Sequence, residues 1–263
     1  MTALDLAKRL GVPDDAVTAL ESSGLLKKAP SESFDPEKGQ GLPQLARALQ
    51  LALRTKEKYA SLGIPEDVFF DSFQDIAIWT RTYYERTGDQ GLGEWGWIQM
   101  SLDLKVFRLG RLQFEPNCLK KEIWAGGRIY PKGTPVLHVH IPAEAPLDPR
   151  SVEDSLCRAI PFFQQYFGKS YDLMHCHSWL LAPALKKLLP ESSRILQFQS
   201  LFQVYDVEPG RQAEERVFGV VCDDLEAYPE DTSLQRLMKA YLTAGNKVGV
   251  GLGIIQTSCR SAI

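Results

Sequence analysis

All four histidines of the chain fall into two pairs, His138/His140 and His175/His177, with a single residue between the members of each. Each pair lies in an apolar run, 135–141 and 171–181, that the alternation predicts as a β-strand. Spacing two puts both rings of a pair on one strand face, so neighbouring strands would bring four imidazoles together. Three chemistries fit this pattern. Neutral imidazole is a frequent zinc ligand, but no carboxylate stands out as a metal-site partner, and no metal is expected. A general base drawn from His140 or His177 would suit proton removal from an ammonium near neutral pH. Buried, hydrogen-bonded rings with a purely structural task are the third reading, and the spacing leaves all three open. Cys176 alternates onto the opposite face, which predicts a core thiol rather than a nucleophile. Ser178 either caps the turn that follows or donates weakly to a leaving thiolate.

The elements that must position these residues divide near residue 92. The spacing before it is helical: Leu4, Leu6, Ala7 and Leu10, then Val17 and Leu20, then Leu45, Ala48, Leu49 and Leu53. A polar stretch, 27–41, reads as loop, and Gly88 is placed to end a helix over 68–85. One further helix is expected in 94–107. Strands are then expected at 109–115, 120–124 and 135–141, a helix from Ser151, a strand at 171–181 and a short helix at 182–189. One or two strands over 194–207, a strand over 216–221 and a helix over 234–243 capped by Thr232 and Ser233 complete the order. The glycines at 245, 249, 251 and 253 follow a helix and precede none, so they do not make a dinucleotide loop; an edge strand packed closely on its neighbour is expected. The fold class is α+β, with a helical domain over 1–92 and a mixed-sheet domain over 93–263.

Composition excludes several functions. The 263 residues carry 30 Lys plus Arg against 33 Asp plus Glu, a net charge of -3. That balance argues against a dedicated nucleic-acid binder. The helical hairpin over 6–20 resembles a helix-turn-helix, but its second helix carries Asp14, Asp15 and Glu21, which would repel phosphates. Five widely spaced cysteines, Cys118, Cys157, Cys176, Cys222 and Cys259, predict free and mostly buried thiols rather than disulfides. The run 248–255 is too short to span a bilayer. A soluble, cytoplasmic protein with a small-molecule substrate, no nucleic acid and no membrane is expected. The aromatic residues Phe69, Phe70, Phe73, Trp79, Trp95 and Trp97, with Tyr83 and Tyr84, are dense enough to predict packing of the helical domain on the sheet and a ligand cleft beside Arg111, Gln113, Glu115 and His140.

The segments Phe107-Arg-Leu-Gly-Arg-Leu-Gln-Phe-Glu115, His138-Val-His-Ile-Pro142 and Cys176-His-Ser-Trp-Leu-Leu181 resemble a bacterial family of two-domain proteins. Its members carry a helical N-acyltransferase N-terminal domain and a GNAT-like C-terminal domain. The resemblance implies acyl transfer from an acyl-CoA-type thioester to a small amine, with a coenzyme A thioester as co-substrate. It implies Glu115 as a base beside His140 and His177, with Ser178 near the leaving group. It implies Val139 and Ile141 beside the pantetheine arm, and Arg150, Ser151 and Val152 at the helix start that receives phosphate. The loop 142–150 departs from that pattern: it lacks glycine, contains Pro142, Pro146 and Pro149, and adds Glu144 and Asp148. The departure, and the absence of tyrosine from 182–189, support an alternative, a GNAT-fold module that binds a ligand or senses it without catalysis.

Overall fold

Helix-forming residues dominate the first unit of the computed structural model, which describes residues 1–29, 35 and 39–257. The chain forms two compact units, 1–113 with 165–168, and 114–164 with 169–263. In the first, α1 (Ala3–Leu10) opens on a capping box in which Thr2 and Asp5 satisfy each other's backbone N–H groups. Gly11, in the left-handed region, ends it. Helix α2 (Asp14–Ser23) completes the expected hairpin. Helix α3 (Leu42–Ser61) buries Leu45, Ala48, Leu49, Ala52 and Tyr59 along one stripe. Helices α4 (Glu66–Phe73), α5 (Asp75–Thr87) and α6 (Trp95–Leu102) follow, α5 stopping at Gly88 as the sequence predicts. The core of this unit is aromatic: the Tyr59 ring lies 5.4 Å from Phe69 and 5.7 Å from Phe107, and Phe69 lies 4.6 Å from Phe73. The unit extends beyond residue 92 because α6 and β1 (Phe107–Leu109) pack on α3 and α4.

The second unit is built on a mixed sheet in which β2 (Leu112–Cys118), β5 (Pro135–His140), β6 (Leu173–Ser178), β8 (Val250–Gln256) and β7 (Gln203–Glu208) are neighbours in that order. The single strand expected over 109–115 is a hairpin instead, since Gly110 at φ 84° turns the chain between β1 and β2 (Leu112–Cys118). Strands β3 (Ile123–Ala125) and β4 (Arg128–Tyr130) form a separate two-stranded sheet, turned by Gly126 and Gly127. Strand β5 (Pro135–His140) runs parallel to β6 (Leu173–Ser178), joined through α7 (Pro149–Phe167).

Of the strands expected late in the chain, one is present over part of its range and one is absent. The segment 194–207 forms α8 (Arg194–Ser200) before β7 (Gln203–Glu208), because the Ser193 hydroxyl caps the Ile195 N–H and Phe198 and Gln199 share the buried side. The segment 216–221 has its first half in α9 (Gln212–Phe218), stopped by Gly219 in the left-handed region; Val220 and Val221 beyond it are exposed. A second capping box, Thr232 with Gln235, opens α10 (Ser233–Thr243) as expected. The short helix expected at 182–189 is a 3-10 segment, Pro183–Lys187.

The glycine-rich strand β8 (Val250–Gln256) is not at the edge. It lies between β6 and β7, antiparallel to both, and β7 is the edge. Close approach explains its glycines: a Cβ at Gly251 would collide with the Leu181 carbonyl, and one at Gly253 would lie 2.9 Å from Leu181 Cδ1. Gly251→Ala is therefore expected to destabilise the protein by about 1–3 kcal/mol, read as a lower urea midpoint with an unchanged slope; wild-type stability would refute the close packing.

The cysteines depart from expectation. Cys176 is buried, but Cys118 and Cys157 are exposed and Cys222 is intermediate, all four as free thiols. Cys259 and part of the loop expected over 27–41 lie outside the described residues.

Candidate functional site

The site is a rung of polar side chains on one face of the second unit's sheet. On β5, Val136, His138 and His140 share that face, while Leu137 and Val139 point into the opposite core. On β6, Leu173, His175 and His177 share it, and buried Cys176 lies opposite, its thiol pushed up by burial. The register pairs His138 with His175, so the two histidine pairs do meet. One rung below, the face is apolar at Val136 and Leu173, which pack with Leu119, Ile123, Ala125 and Tyr130 and with Ile254, the β8 neighbour of His175. The small β3–β4 sheet thus desolvates the rings nearest to it.

Six contacts define the rung. His140 Nε2 lies 2.8 Å from Glu115 Oε2, and the amide of Asn117 donates to the other carboxylate oxygen at 3.0 Å. The His138 ring stacks on His140 with centroids 4.6 Å apart. His138 Nδ1 lies 3.4 Å from His175 Nδ1, and His175 Nε2 lies 2.9 Å from the Tyr205 hydroxyl. His177 pairs with Glu208 at 3.4 Å, both half-exposed. Burial pushes His138 down to about 2, with the neighbouring histidines and Lys120 adding to the effect. Burial, then the neighbouring His177, pushes His175 down to about 4. Both rings are therefore neutral near pH 7. Burial and the nearby Asp206 and Glu208 raise the Tyr205 phenol to about 12, so it keeps its proton.

Parallel pairing of β5 and β6 ends at His138 and His175, although the strands continue to His140 and Ser178. The gap between them opens at the carboxyl ends, where ligands of parallel strands commonly bind. Val139 and Ile141 stand at its β5 side. Ser178 lies on the face opposite His177, and its hydroxyl accepts the Leu180 N–H, which is the capping role, one of the two readings the sequence left open for it. At the start of α7, the Asp148 carboxylate takes both the N–H and the hydroxyl of Ser151, at 3.0 and 2.9 Å. Hydrogen bonds to Ser151 are what hold the Asp148 carboxyl below its ordinary value. Val152 lines an apolar cavity of about 130 Å³ with Leu147, Pro149, Phe198 and Leu201.

Arg111 and Gln113 do not join this rung: Arg111 is buried in the hairpin turn, and the Gln113 amide donates to Asp75 at 2.7 Å. Asn117, Glu208 and Tyr205 were not anticipated. Asn117 follows Glu115 at spacing two, and Glu208 ends a strand, both readable signals. Tyr205 carried none, because it sits at a register shift between Val204 and Asp206. Among the described residues, no group of three or more His, Cys, Asp or Glu is arranged to hold a metal ion, and no helix is long and apolar enough to cross a membrane.

Solved structures of similar fold include an acyltransferase in complex with decanoyl-CoA, at 25% identity over 97% of this chain and 87% of that one, TM-score 0.78. Others are an acyltransferase in complex with decanoyl-CoA and teicoplanin, at 24% identity and TM-score 0.78, and an acyltransferase mutant with octanoyl-CoA, at 24% and 0.79; each match covers 97% of this chain and 87% of the other. No curated protein sequence matches the chain. The N-acyltransferase N-terminal domain matches residues 17–104, and the GNAT-like C-terminal domain matches 106–255. With the second match alone spanning more than half of its length, the chain belongs to the family of proteins that join these two domains.

Proposed function

We propose that the protein transfers an acyl group from an acyl-CoA thioester to an amine. The observation that carries this reading is the hydrogen-bonded Glu115–His140 pair at the mouth of the gap between β5 and β6. The family and the acyl-CoA complexes of proteins with this fold support the donor; the paired carboxylate and imidazole support the acceptor. The thioester lies along the end of β5, with the backbone of Val139 and Ile141 beside the pantetheine arm. Glu115 holds the Nε2–H of His140 and leaves Nδ1 as the basic nitrogen. That nitrogen takes a proton from the acceptor ammonium, and the Glu115 carboxylate stabilises the imidazolium that forms. The free amine then attacks the thioester carbonyl. The C–N bond forms and the C–S bond breaks; the second proton leaves the attacking nitrogen for the departing sulfur, so coenzyme A leaves as the thiol and the amide nitrogen is neutral. His177 with Glu208 lies further along the same face and presents a carboxylate to a cationic acceptor.

Arg150 is the positive charge at the start of α7, and Asp148 competes there with the donor's phosphates for the Ser151 donors. Asp148→Ser keeps a capping hydroxyl and removes the charge. It is expected to tighten coenzyme A binding about two- to fivefold, measured by isothermal titration of the full chain with coenzyme A and octanoyl-CoA. Heat-silent titrations of the wild type at millimolar ligand, confirmed by an unchanged Tm, would overturn the donor assignment. The same Asp148 contact favours a second reading, a module that binds without turnover. Acyl-CoA binding with no thiol release in the presence of a panel of primary amines would establish it.

A further inference from the structure

We infer that Tyr205, His175 and His138 form a fixed hydrogen-bonded chain that positions His140, an inference that rests on the acyl-transfer reading above. The chain runs from the Tyr205 hydroxyl to His175 Nε2 at 2.9 Å and from His175 Nδ1 to His138 Nδ1 at 3.4 Å. It ends in the His138 ring, stacked on His140 with an interplanar angle of 24°. A neutral imidazole carries one N–H and one lone pair. Where Nδ1 faces Nδ1, one ring donates and the other accepts. If Tyr205 donates to His175 Nε2, then His175 carries its proton on Nδ1 and His138 on Nε2. If His138 donates instead, His175 carries its proton on Nε2 and offers it to the phenol oxygen. In either direction the two rings hold opposite tautomers.

The fold does not need three polar groups in this row. Val136 and Leu173, two residues earlier on the same strands, fill the same face with apolar side chains at no hydrogen-bonding cost. The polar rung has a use beside His140. Positive charge that develops on His140 meets Glu115 on one side and the His138 ring on the other. A charged ring 4.6 Å away would oppose it; a neutral ring, locked in place by its partner, does not. Burial beneath the β3–β4 sheet keeps His138 and His175 in that neutral form. Tyr205, His175 and His138 are thus positioning residues.

The test uses the full chain labelled with 15N-histidine and long-range proton–nitrogen spectra at pH 7. The expected spectra show His138 and His175 as single, opposite tautomers. Tyr205→Phe keeps the ring and removes the hydroxyl; it is expected to yield mixed tautomers at His175 and to lower kcat for amine acylation about tenfold, with KM for octanoyl-CoA unchanged. The same tautomer on both rings would overturn the inference, as would loss of the one Nδ1 proton between the two rings on stoichiometric addition of zinc, which would mark a metal-ligand pair. So would an unchanged kcat in Tyr205→Phe. If the wild type acylates no amine, the acyl-transfer reading fails by itself, and the tautomers still decide whether the chain exists.

Discussion

Replacing His140 with glutamine is expected to slow acyl transfer about 10²–10⁴-fold, the usual cost of losing a general base. Glutamine can still hydrogen-bond to Glu115, so the carboxylate is not left without a partner. It cannot accept the ammonium proton at any pH where the enzyme is folded. Octanoyl-CoA affinity should change less than threefold, because the donor lies along β5 and α7 rather than on the imidazole. Steady-state thiol release with an amine acceptor, alongside titration calorimetry, separates the two effects. A variant within threefold of wild-type kcat would show that the Glu115–His140 pair is structural. Glu115→Gln should follow with a smaller loss, since it keeps the ring oriented and removes only the charge that stabilises the imidazolium.

The second large effect is acid destabilisation above the carboxylate range. His138 and His175 are held at about 2 and about 4 in the folded protein, against 6.5 when solvated. Below pH 6.5 the unfolded chain therefore takes up protons that the folded chain refuses, and unfolding gains from each one. The stability these rings contribute is complete above pH 6.5 and falls as pH drops below it, until each folded ring titrates. Each proton is worth about 1.4 kcal/mol per pH unit, so two rings cost about 4 kcal/mol between pH 6.5 and 5. The carboxylates held low by their partners, among them Asp5, Glu66 and Asp206, add their own loss only at lower pH. Urea denaturation at pH 7, 6 and 5 reads the slope, and His175→Gln should roughly halve it. A flat profile from 7 to 5 would mean that the rings are hydrated in the folded state.

The sequence was most informative where one strand decides the answer. Spacing two placed each histidine pair on a single face and Cys176 on the other, and both hold because alternation is a property of an isolated strand. The pairing of His138 with His175 needed β5 and β6 to be neighbours and in one particular register, which a single strand does not fix. Tyr205 was illegible because its hydroxyl reaches His175 across β8, past a register shift that alternation does not foresee. Of the one or two strands expected over 194–207 only β7 forms, and the strand expected over 216–221 does not, for a local reason: the cap at Ser193 and the left-handed stop at Gly219 outweigh short apolar runs that fit either period. The glycines of β8 were correctly assigned to close packing and wrongly to an edge, since the identity of the neighbour, the Leu181 backbone, is a tertiary fact.

Strand β8 lies between β6 and β7 yet follows both along the chain by more than forty residues. During synthesis, β6 and β7 leave the ribosome with no partner to join them, and His175 and Tyr205 meet only after Val250–Gln256 has been made and threaded between them. The polar rung is therefore a late event in the life of each molecule. A nascent chain halted between Glu208 and Val250 carries every histidine of the site and Tyr205, and lacks the strand that brings them together. Activity is in this way tied to completed translation of the sheet, and the cell gains no partly working enzyme from an interrupted message.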